Sequence, residues 1–538
     1  MTLSGDAPPR SLRTVKDALE QKADERGEET FLQFDGEELS YAGLDRRANT
    51  IANALAERGV EKGDTVCLFL YNSMPYVTTY FALAKLGAVV APIDTRFTGE
   101  TLSLVLSETD ASTILIDADT REEYESIREE VGNITSEYFV GDQPSERPYR
   151  PFETLLDGDD TAPPDVTVDE TDTLSVTFVQ RYATEQPKGV LLPHYSYINT
   201  GWEVAANLFE FDASDQVFTT LPLYSIFTFQ LGVVGALLGD ARIALSGPFD
   251  PDRFWEQVDR YGATIILYLG RMLSVLYNQD TQQAHEDNPV DLAIGHGFGF
   301  GTDETLIENF EDRFDITVLE GYGVTQTATI ATYNTPDDRR IGSSGRPVSY
   351  VNVQIVDDND WPVPTGESGE IVVRPTRPNT MLQGYRDDPE GTVELTRNQW
   401  IHSGDIGYMD EDGYLHFVAN RDNSIYRGRI AGRISSLEIE SVINSQPDVR
   451  ESAVVGVENE GGSEAIKAVV VPRDGSDLNP VDVCRHCEQQ LPYLKVPRYI
   501  DIRAELPRDA AGKIRKDELR STPRQETWDR ESGYELSR

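Results

Sequence analysis

The stretch Thr65–Asp94, "TVCLFLYNSMPYVTTYFALAKLGAVVAPID", decides the fold. "TVCLFL" reads as a buried strand, since its residues are apolar or β-branched with no polar alternation. "NSMPYVTTYFALAKLGA" predicts a helix, with Ser73 as its cap and Pro75 in its first turn. "VVAPID" is the next strand. A strand, a helix and a second strand in so short a span make a βαβ unit.

The pattern extends in both directions. Upstream, Leu44, Ala48, Ile51, Ala52 and Leu55 follow helical spacing, and Gly59 ends the helix. Downstream, "GETLSLVLSE" predicts a helix and "STILID" a strand. The rhythm returns with "ARIALS" (strand), "DRFWEQVDRYG" (helix), "TIILYL" and "VDLAIG" (strands), "DETLIENFEDRF" (helix) and "ITVLEGYG" (strand). Two similar layers of largely parallel sheet covered by helices are expected. After Gly345 the texture changes, and "NVQIVDDNDWPVPTGESGEIVVR" reads as a hairpin. From about Ser424 a smaller α+β unit holds "SSLEIESVINSQ" (helix), "ESAVVGV" and "AIKAVVVP" (strands) and "VDVCRHCEQQL" (helix). The last residues read as a polar tail, and no short-period repeat is seen.

At 538 residues the chain is too long for one core. It carries 93 acidic and 48 basic residues, nine of the latter Lys, for a formal net charge of −45. Such an acid excess with few lysines fits a protein adapted to high salt, where the Debye length falls to about 3 Å and self-repulsion is screened. Disorder is excluded by the recurring apolar runs and by 24 Tyr, 20 Phe and 5 Trp along the chain. Nucleic-acid binding is excluded by the lack of a basic stripe. Cys484 and Cys487 form "CRHC" with Cys67 far away, which is short of a four-ligand zinc site and reads as a helix turn, with a redox pair the lesser alternative. The N-terminus is no signal peptide, and the longest apolar run, "LGVVGALLG", is far short of a membrane span. A soluble, cytoplasmic protein is expected.

Four segments carry chemistry. In "SVTFVQRYATEQPKGVLLPH" a strand runs into a polar turn where Thr184 and Lys188 supply a hydroxyl and a cation for phosphate oxygens. In "EGYGVTQT", Tyr322 offers an aromatic face for a base, Gly323 allows close backbone approach and Thr325 offers a hydroxyl. In "WIHSGDIGYMDEDGYLHF", Asp405 sits in a Gly-Asp turn and suits two ribose hydroxyls. In "LPRDAAGKIRKDELR", Lys513 follows a glycine turn and suits charge stabilisation in acyl and phosphoryl transfer.

With these four in order, the chain resembles the adenylate-forming (AMP-binding) acyl-CoA synthetase superfamily, medium- and long-chain fatty-acid–CoA ligases in particular. The family loop YTSGTTGxPKG aligns with Val179–Gly189, "VQRYATEQPKG". YGxTE aligns with "YGVTQ", Tyr322–Gln326; TGD with "SGD", Ser403–Asp405; and the C-terminal glycine–lysine motif with Pro507–Arg515. "LPLYSIF", "GSSGRPV", "GEIVVRP", "MLQGYRDDPEGT" and "LPYLKVPRYI" agree, and the likeness runs from about Val15 to Leu519.

The resemblance implies an α/β fold: a large N-terminal domain of two parallel-sheet α/β subdomains plus a small β-subdomain, then a small mobile α+β C-terminal domain. The boundaries are 1–422, 423–520 and a tail at 521–538. It implies that ATP, Mg²⁺ and coenzyme A act with a small-molecule carboxylic acid, through an acyl-adenylate. A homodimer is compatible with it. Lys513, Thr184 and Lys188 are its catalytic candidates. Tyr322, Gly323 and Gly299 of "GFGF" would frame the adenine, Thr325 the α-phosphate, and Asp405 with Arg421 the ribose. Tyr224, Ser225 and Phe227 would line the acyl pocket. Arg427, Gly428 and Arg429 of "RGRIAGR" would meet the pantetheine arm, and Asn423 marks the hinge.

Departures cluster at the triphosphate. Arg181, Tyr182, Ala183 and Glu185 replace loop residues of the family, and Gln326 stands where it has a metal-binding Glu. Two readings result. One is a fatty-acid-type CoA ligase; the other is a weakened or inactive member that binds AMP, acyl-adenylate or acyl-CoA. A carrier-loading module is a third, disfavoured because the chain ends soon after Lys513.

Overall fold

The structure is a computed structural model that describes residues 7–144, 149–179, 186–279, 288–296, 304–420, 424–426, 433–458, 464–473, 475–476, 478–508, 514–521 and 527–530. The chain falls into two compact units. The first is chiefly Met1–Val179, Gln186–Asn352 and Val373–Ile401, and the second chiefly Val353–Val372 and His402–Arg538.

The first unit holds two sheets, as the repeated βα rhythm requires. In the eight-stranded sheet the spatial order is Gly384–Tyr385, Lys188–Pro193, Thr173–Val179, Val89–Pro92, Thr65–Phe69, Thr113–Ile116, Ser136–Phe139 and Arg150–Pro151. Thr65–Phe69 lies parallel to both Val89–Pro92 and Thr113–Ile116, with Val66 opposite Val90 and Thr113. The helix between the first two, Met74–Leu86, starts as expected: the Ser73 hydroxyl accepts the Tyr76 amide, and Gly87 ends it at φ 69°. Apart from Pro75 the helix is buried on every side, which explains its near-continuous apolar sequence. Such burial extends even to Lys85, whose ammonium is held by Glu20 at 2.7 Å and Asp45 at 2.6 Å.

The nine-stranded sheet runs Arg346–Pro347, Thr332–Tyr333, Thr317–Tyr322, Leu292–His296, Ile265–Leu269, Gln216–Thr219, Arg242–Leu245, Thr30–Phe34 and Glu37–Ser40. Its centre is parallel, from Arg242–Leu245 across to Thr317–Tyr322. The last two strands form a hairpin that the sequence reading does not assign. It turns at Asp35 and Gly36, both with φ above zero, and docks Leu32 opposite Ile243 in parallel register.

In the second unit the hairpin expected after Gly345 contributes two neighbouring strands, Val351–Val356 and Gly369–Pro375, to a four-stranded sheet completed by Ile401–Met409 and Leu415–Asn420. Farther on, Val449–Glu458 and Glu464–Pro472 pair antiparallel, and Tyr499–Ile502 runs parallel to the latter. The helices Ser436–Asn444 and Pro480–Gln490 cover this sheet. Cys484 and Cys487 lie in the second helix within the apolar core, and burial pushes their thiols up to about 11 and about 12. Both are free thiols packed as small hydrophobes. Residues 521–538 read as a polar tail, yet Trp528–Asp529 pairs antiparallel with Tyr499–Ile500. Asp529 accepts from Arg498 at 3.1 and 3.2 Å, and Trp528 packs on the core, so an edge strand forms despite its polar surroundings. No helix among the described residues is long and apolar enough to cross a membrane.

Candidate active site

Lys188 opens the strand Lys188–Pro193, which returns antiparallel along Thr173–Val179. Gly189 follows it because a Cβ there would meet the Val176 side chain at 2.8 Å. The Lys188 ammonium is 2.6 Å from an Asp388 carboxylate oxygen and 5.2 Å from the Tyr385 ring centroid. Hydrogen bonds from Lys188 and then from the Gly391 amide hold the Asp388 carboxyl below its usual range. Gln326 is buried, and its Nε2 donates to the Tyr385 hydroxyl at 3.0 Å. Lys188 and Gln326 are thus both in contact with Tyr385, and Lys188 also with Asp388. The sequence reading names the first two and misses the second two; its only signal for them is the segment "MLQGYRDDPEGT". Thr184 lies outside the described residues, as do Arg181, Tyr182, Ala183 and Glu185.

Tyr322 ends the strand Thr317–Tyr322. It is 6% exposed, so its ring is largely covered rather than presented as an open face. At Gly323 the close neighbour is the chain's own backbone, because a Cβ there would stand 1.9 Å from the Thr329 carbonyl oxygen. The half-buried Thr325 opens a single turn in which the Thr327 hydroxyl accepts the Val324 amide at 3.1 Å. Ala328 and Thr329 then take φ of 52° and 83°. For a β-branched Thr the latter is a strained value, held by the surrounding fold. Gly299 lies outside the described residues.

Tyr224, Ser225 and Phe227 leave the strand Gln216–Thr219 and enter the next helical segment. Their position depends on Asn72, a residue that sequence reading misses. The Asn72 side chain donates to the carbonyls of Leu221 and Ser246, both at 2.9 Å, and accepts the Leu223 amide at 2.8 Å. A buried Asn in the loop that follows the parallel strand Thr65–Phe69 is the signal that marks it. Phe227 packs on the His296 ring, centroids 4.7 Å apart, with Tyr333 5.7 Å from the same imidazole. Burial pushes His296 down to about 4, so it is neutral near pH 7. Arg96 lies over the Tyr224 ring at 5.9 Å while paired with Asp94.

Asp405 belongs to the second unit. The sequence reading places it in a Gly-Asp turn; it lies instead inside the nine-residue strand Ile401–Met409, paired with Asn420. Gly404 supplies the local twist at φ 75°. The Ser403 hydroxyl donates to the Ile371 carbonyl at 2.6 Å and accepts the Asp405 amide at 3.1 Å. Glu370 accepts the Gly404 amide at 3.0 Å and stands 3.0 Å from His402 Nδ1. The backbone that aims Asp405 is therefore braced from the neighbouring strand. Arg421, Asn423, Arg427, Gly428, Arg429 and Lys513 lie outside the described residues.

Comparison with known proteins supplies the family. The AMP-binding enzyme family matches residues 19–386, and the AMP-binding enzyme C-terminal domain matches 438–513. A crotonobetaine/carnitine–CoA ligase of Salmonella agona (strain SL483) is 31% identical over 92% of this chain and 96% of its own. Among solved structures, the anthranilate CoA ligase AuaEII in complex with anthranoyl-AMP superposes with a TM-score of 0.82 at 24% identity, covering 95% of this chain and 98% of its own. O-succinylbenzoate coenzyme A synthetase (MenE) of Bacillus subtilis in complex with AMP gives 0.79 at 21% identity, over 94% and 98%. These two likenesses concern the fold, whereas the family and the curated relative span most of the sequence. The chain belongs to the AMP-binding enzyme family, as an acid–thiol ligase of the AMP-forming type.

Proposed function

We propose that the chain is an ATP-dependent carboxylic acid–CoA ligase acting on a fatty or related acid in a salt-rich cytoplasm. A carboxylate oxygen attacks the α-phosphorus of ATP, and pyrophosphate leaves. The thiol sulfur of coenzyme A then attacks the acyl carbon, and AMP leaves with the bonding electrons. Adenylation supplies the leaving group that a carboxylate lacks at neutral pH.

The observation that carries this reading is the joined set Lys188, Asp388, Tyr385 and Gln326 at the end of the phosphate-loop strand. It supplies a held cation at the start of the strand Lys188–Pro193 and a buried amide tied to the tyrosine beneath it. Thr184 and Lys188 are read as triphosphate contacts, and Lys513 as the bridge between the carboxylate and the α-phosphate. Asp405 and Arg421 are read as ribose ligands. Residues 423–520 are read as the small domain that brings Lys513 in and later gives way to the thiol, with Arg427, Gly428 and Arg429 meeting the pantetheine arm.

Mg²⁺ would be the counter-ion of the triphosphate. With the Gln326 Nε2 committed to Tyr385, its Oε1 would be the atom to meet such an ion, as a neutral ligand. Among the described residues no group of three His, Cys, Asp or Glu is placed to hold a metal. Phe227 against the neutral His296 supports an uncharged acyl body.

Pyrophosphate release with a panel of acids, in molar salt, tests the proposal. The panel runs from medium- and long-chain fatty acids to anthranilate, o-succinylbenzoate and carnitine. Release that is strongest with a fatty acid and lost in Lys513→Ala is expected. Strongest release with another acid would move the substrate class. Binding of AMP or coenzyme A by calorimetry, with no acid turned over, would instead favour a binding protein, the reading that Glu185 and Gln326 suggest.

A further inference from the structure

We propose that Asp388 is the positioning residue for Lys188, holding its ammonium where the triphosphate is to bind. This rests on the reading of Lys188 as a phosphate-binding group. The placement follows from strand register. Gly384 and Tyr385 lie opposite Leu191 and Val190, and the Arg386 amide donates to the Gly189 carbonyl at 2.7 Å. The chain then turns at Asp387, φ 52°, which directs Asp388 toward Lys188.

Asp388 divides its carboxylate between two tasks. As the N-cap of the helix Pro389–Leu395, its Oδ1 accepts the Gly391 amide at 2.8 Å, while Oδ2 accepts from Lys188 at 2.6 Å. The cap fixes the carboxylate, and the carboxylate fixes the end of a flexible four-carbon stem. Glycine at 391 keeps the space open, since a Cβ there would lie 2.8 Å from the Lys188 nitrogen. Tyr385 lies beneath the ammonium and is tied to Gln326.

A purely structural role predicts little. The two side chains are 39% and 32% exposed, and pairs of that exposure contribute at most about 1 kcal/mol to stability. Pre-placing a cation, in contrast, removes an ordering cost from nucleotide binding.

Asp388→Asn separates the roles, because an amide oxygen still caps the helix but carries no charge. The expected result is an unchanged melting temperature, a KM for ATP raised roughly tenfold, an unchanged KM for the acid, and equally weakened ATP binding in calorimetry. In a Lys188→Ala background the same substitution should have no further effect on ATP affinity. Three results overturn the proposal: ATP affinity within twofold of wild type, an increased affinity (a masking contact), or an equal loss with and without Lys188. A wild-type protein that neither binds ATP nor releases pyrophosphate would sink the reading of the site together with this inference. An active wild type with an indifferent Asp388→Asn would sink the inference alone.

Discussion

Ser403 and Asp405 share a hydrogen bond in which the Asp405 amide donates to the Ser403 hydroxyl at 3.1 Å, while that hydroxyl donates to Ile371 at 2.6 Å. One oxygen thus locks the strand that aims the carboxylate. Ser403→Thr keeps the hydroxyl and should bind AMP as the wild type does. Ser403→Ala leaves the Ile371 carbonyl and Asp405 amide without that partner, costing about 1–3 kcal/mol. AMP affinity should fall roughly tenfold in calorimetry, by the usual conversion of about 1.4 kcal/mol per decade. Equal affinities for the Ala and Thr variants would show that Ser403 does not position Asp405.

Gln326 offers a second test. Its Nε2 donates to Tyr385, but a tyrosine hydroxyl also donates, so a carboxylate fits the same place by reversing the bond. Gln326→Glu should therefore fold normally. It also adds a charged oxygen for the ion that accompanies ATP. Pyrophosphate release at limiting Mg²⁺ is expected to rise roughly tenfold, in line with one charge-assisted contact. A lower rate at every Mg²⁺ concentration would show that the neutral amide is the form this site requires.

The parts of the fold legible in the sequence are those with local causes. Thr65–Asp94 shows its strands by apolar runs and its helix by Ser73 and Gly87, and the structure follows. What escaped is non-local. The hairpin Thr30–Ser40 carries an Asp35–Gly36 turn signal, but its partner strand, Arg242–Leu245, is far along the chain. The two-residue strand Gly384–Tyr385 is too short to show periodicity, yet it brings Asp388 to Lys188 across 200 positions. Trp528 looks like part of a polar tail until its pairing with Ile500 is seen. The site behaves alike: motif residues stand out by type, whereas Asn72, Tyr385 and Glu370 act through geometry that no spacing rule encodes.

Lys85 provides a stability test. Its side chain is 0% exposed, and the paired Glu20 and Asp45 are 31% and 17% exposed. Removing the cation leaves two carboxylates facing each other beside a buried helix end. Breaking a buried pair costs about 3–5 kcal/mol, and partial solvation of the acids lowers this toward about 2–3 kcal/mol. Denaturant unfolding of Lys85→Met in molar salt should show a loss of that size, partly recovered in Lys85→Met/Asp45→Asn. A single variant as stable as wild type would mean that the three charges contribute nothing net.

Burial should also make stability depend on pH through His194, a fully buried residue whose Nδ1 accepts the Val15 amide at 3.3 Å. Desolvation pushes its pKa down to about 3, against a weaker opposing pull from Asp172. Protonation would also turn Nδ1 into a donor facing a donor, breaking the link to the helix Val15–Arg26. The unfolded chain holds this proton below its ordinary pKa of about 6.5, whereas the folded chain refuses it until about 3. Between those values the unfolded state binds more protons, so stability falls as pH falls, by up to on the order of 4 kcal/mol over the whole window. Above about pH 6.5 the residue is neutral in both states and contributes no slope. His194→Asn keeps an acceptor for Val15 without a titrating ring. Unfolding free energies of both proteins from pH 7.5 to 4, in molar salt, should diverge only below about pH 6.5, with the wild type losing stability faster. The surface carboxylates titrate alike in the two proteins and cancel in the difference. Parallel curves down to pH 4 would show that His194 is not the source of the acid sensitivity.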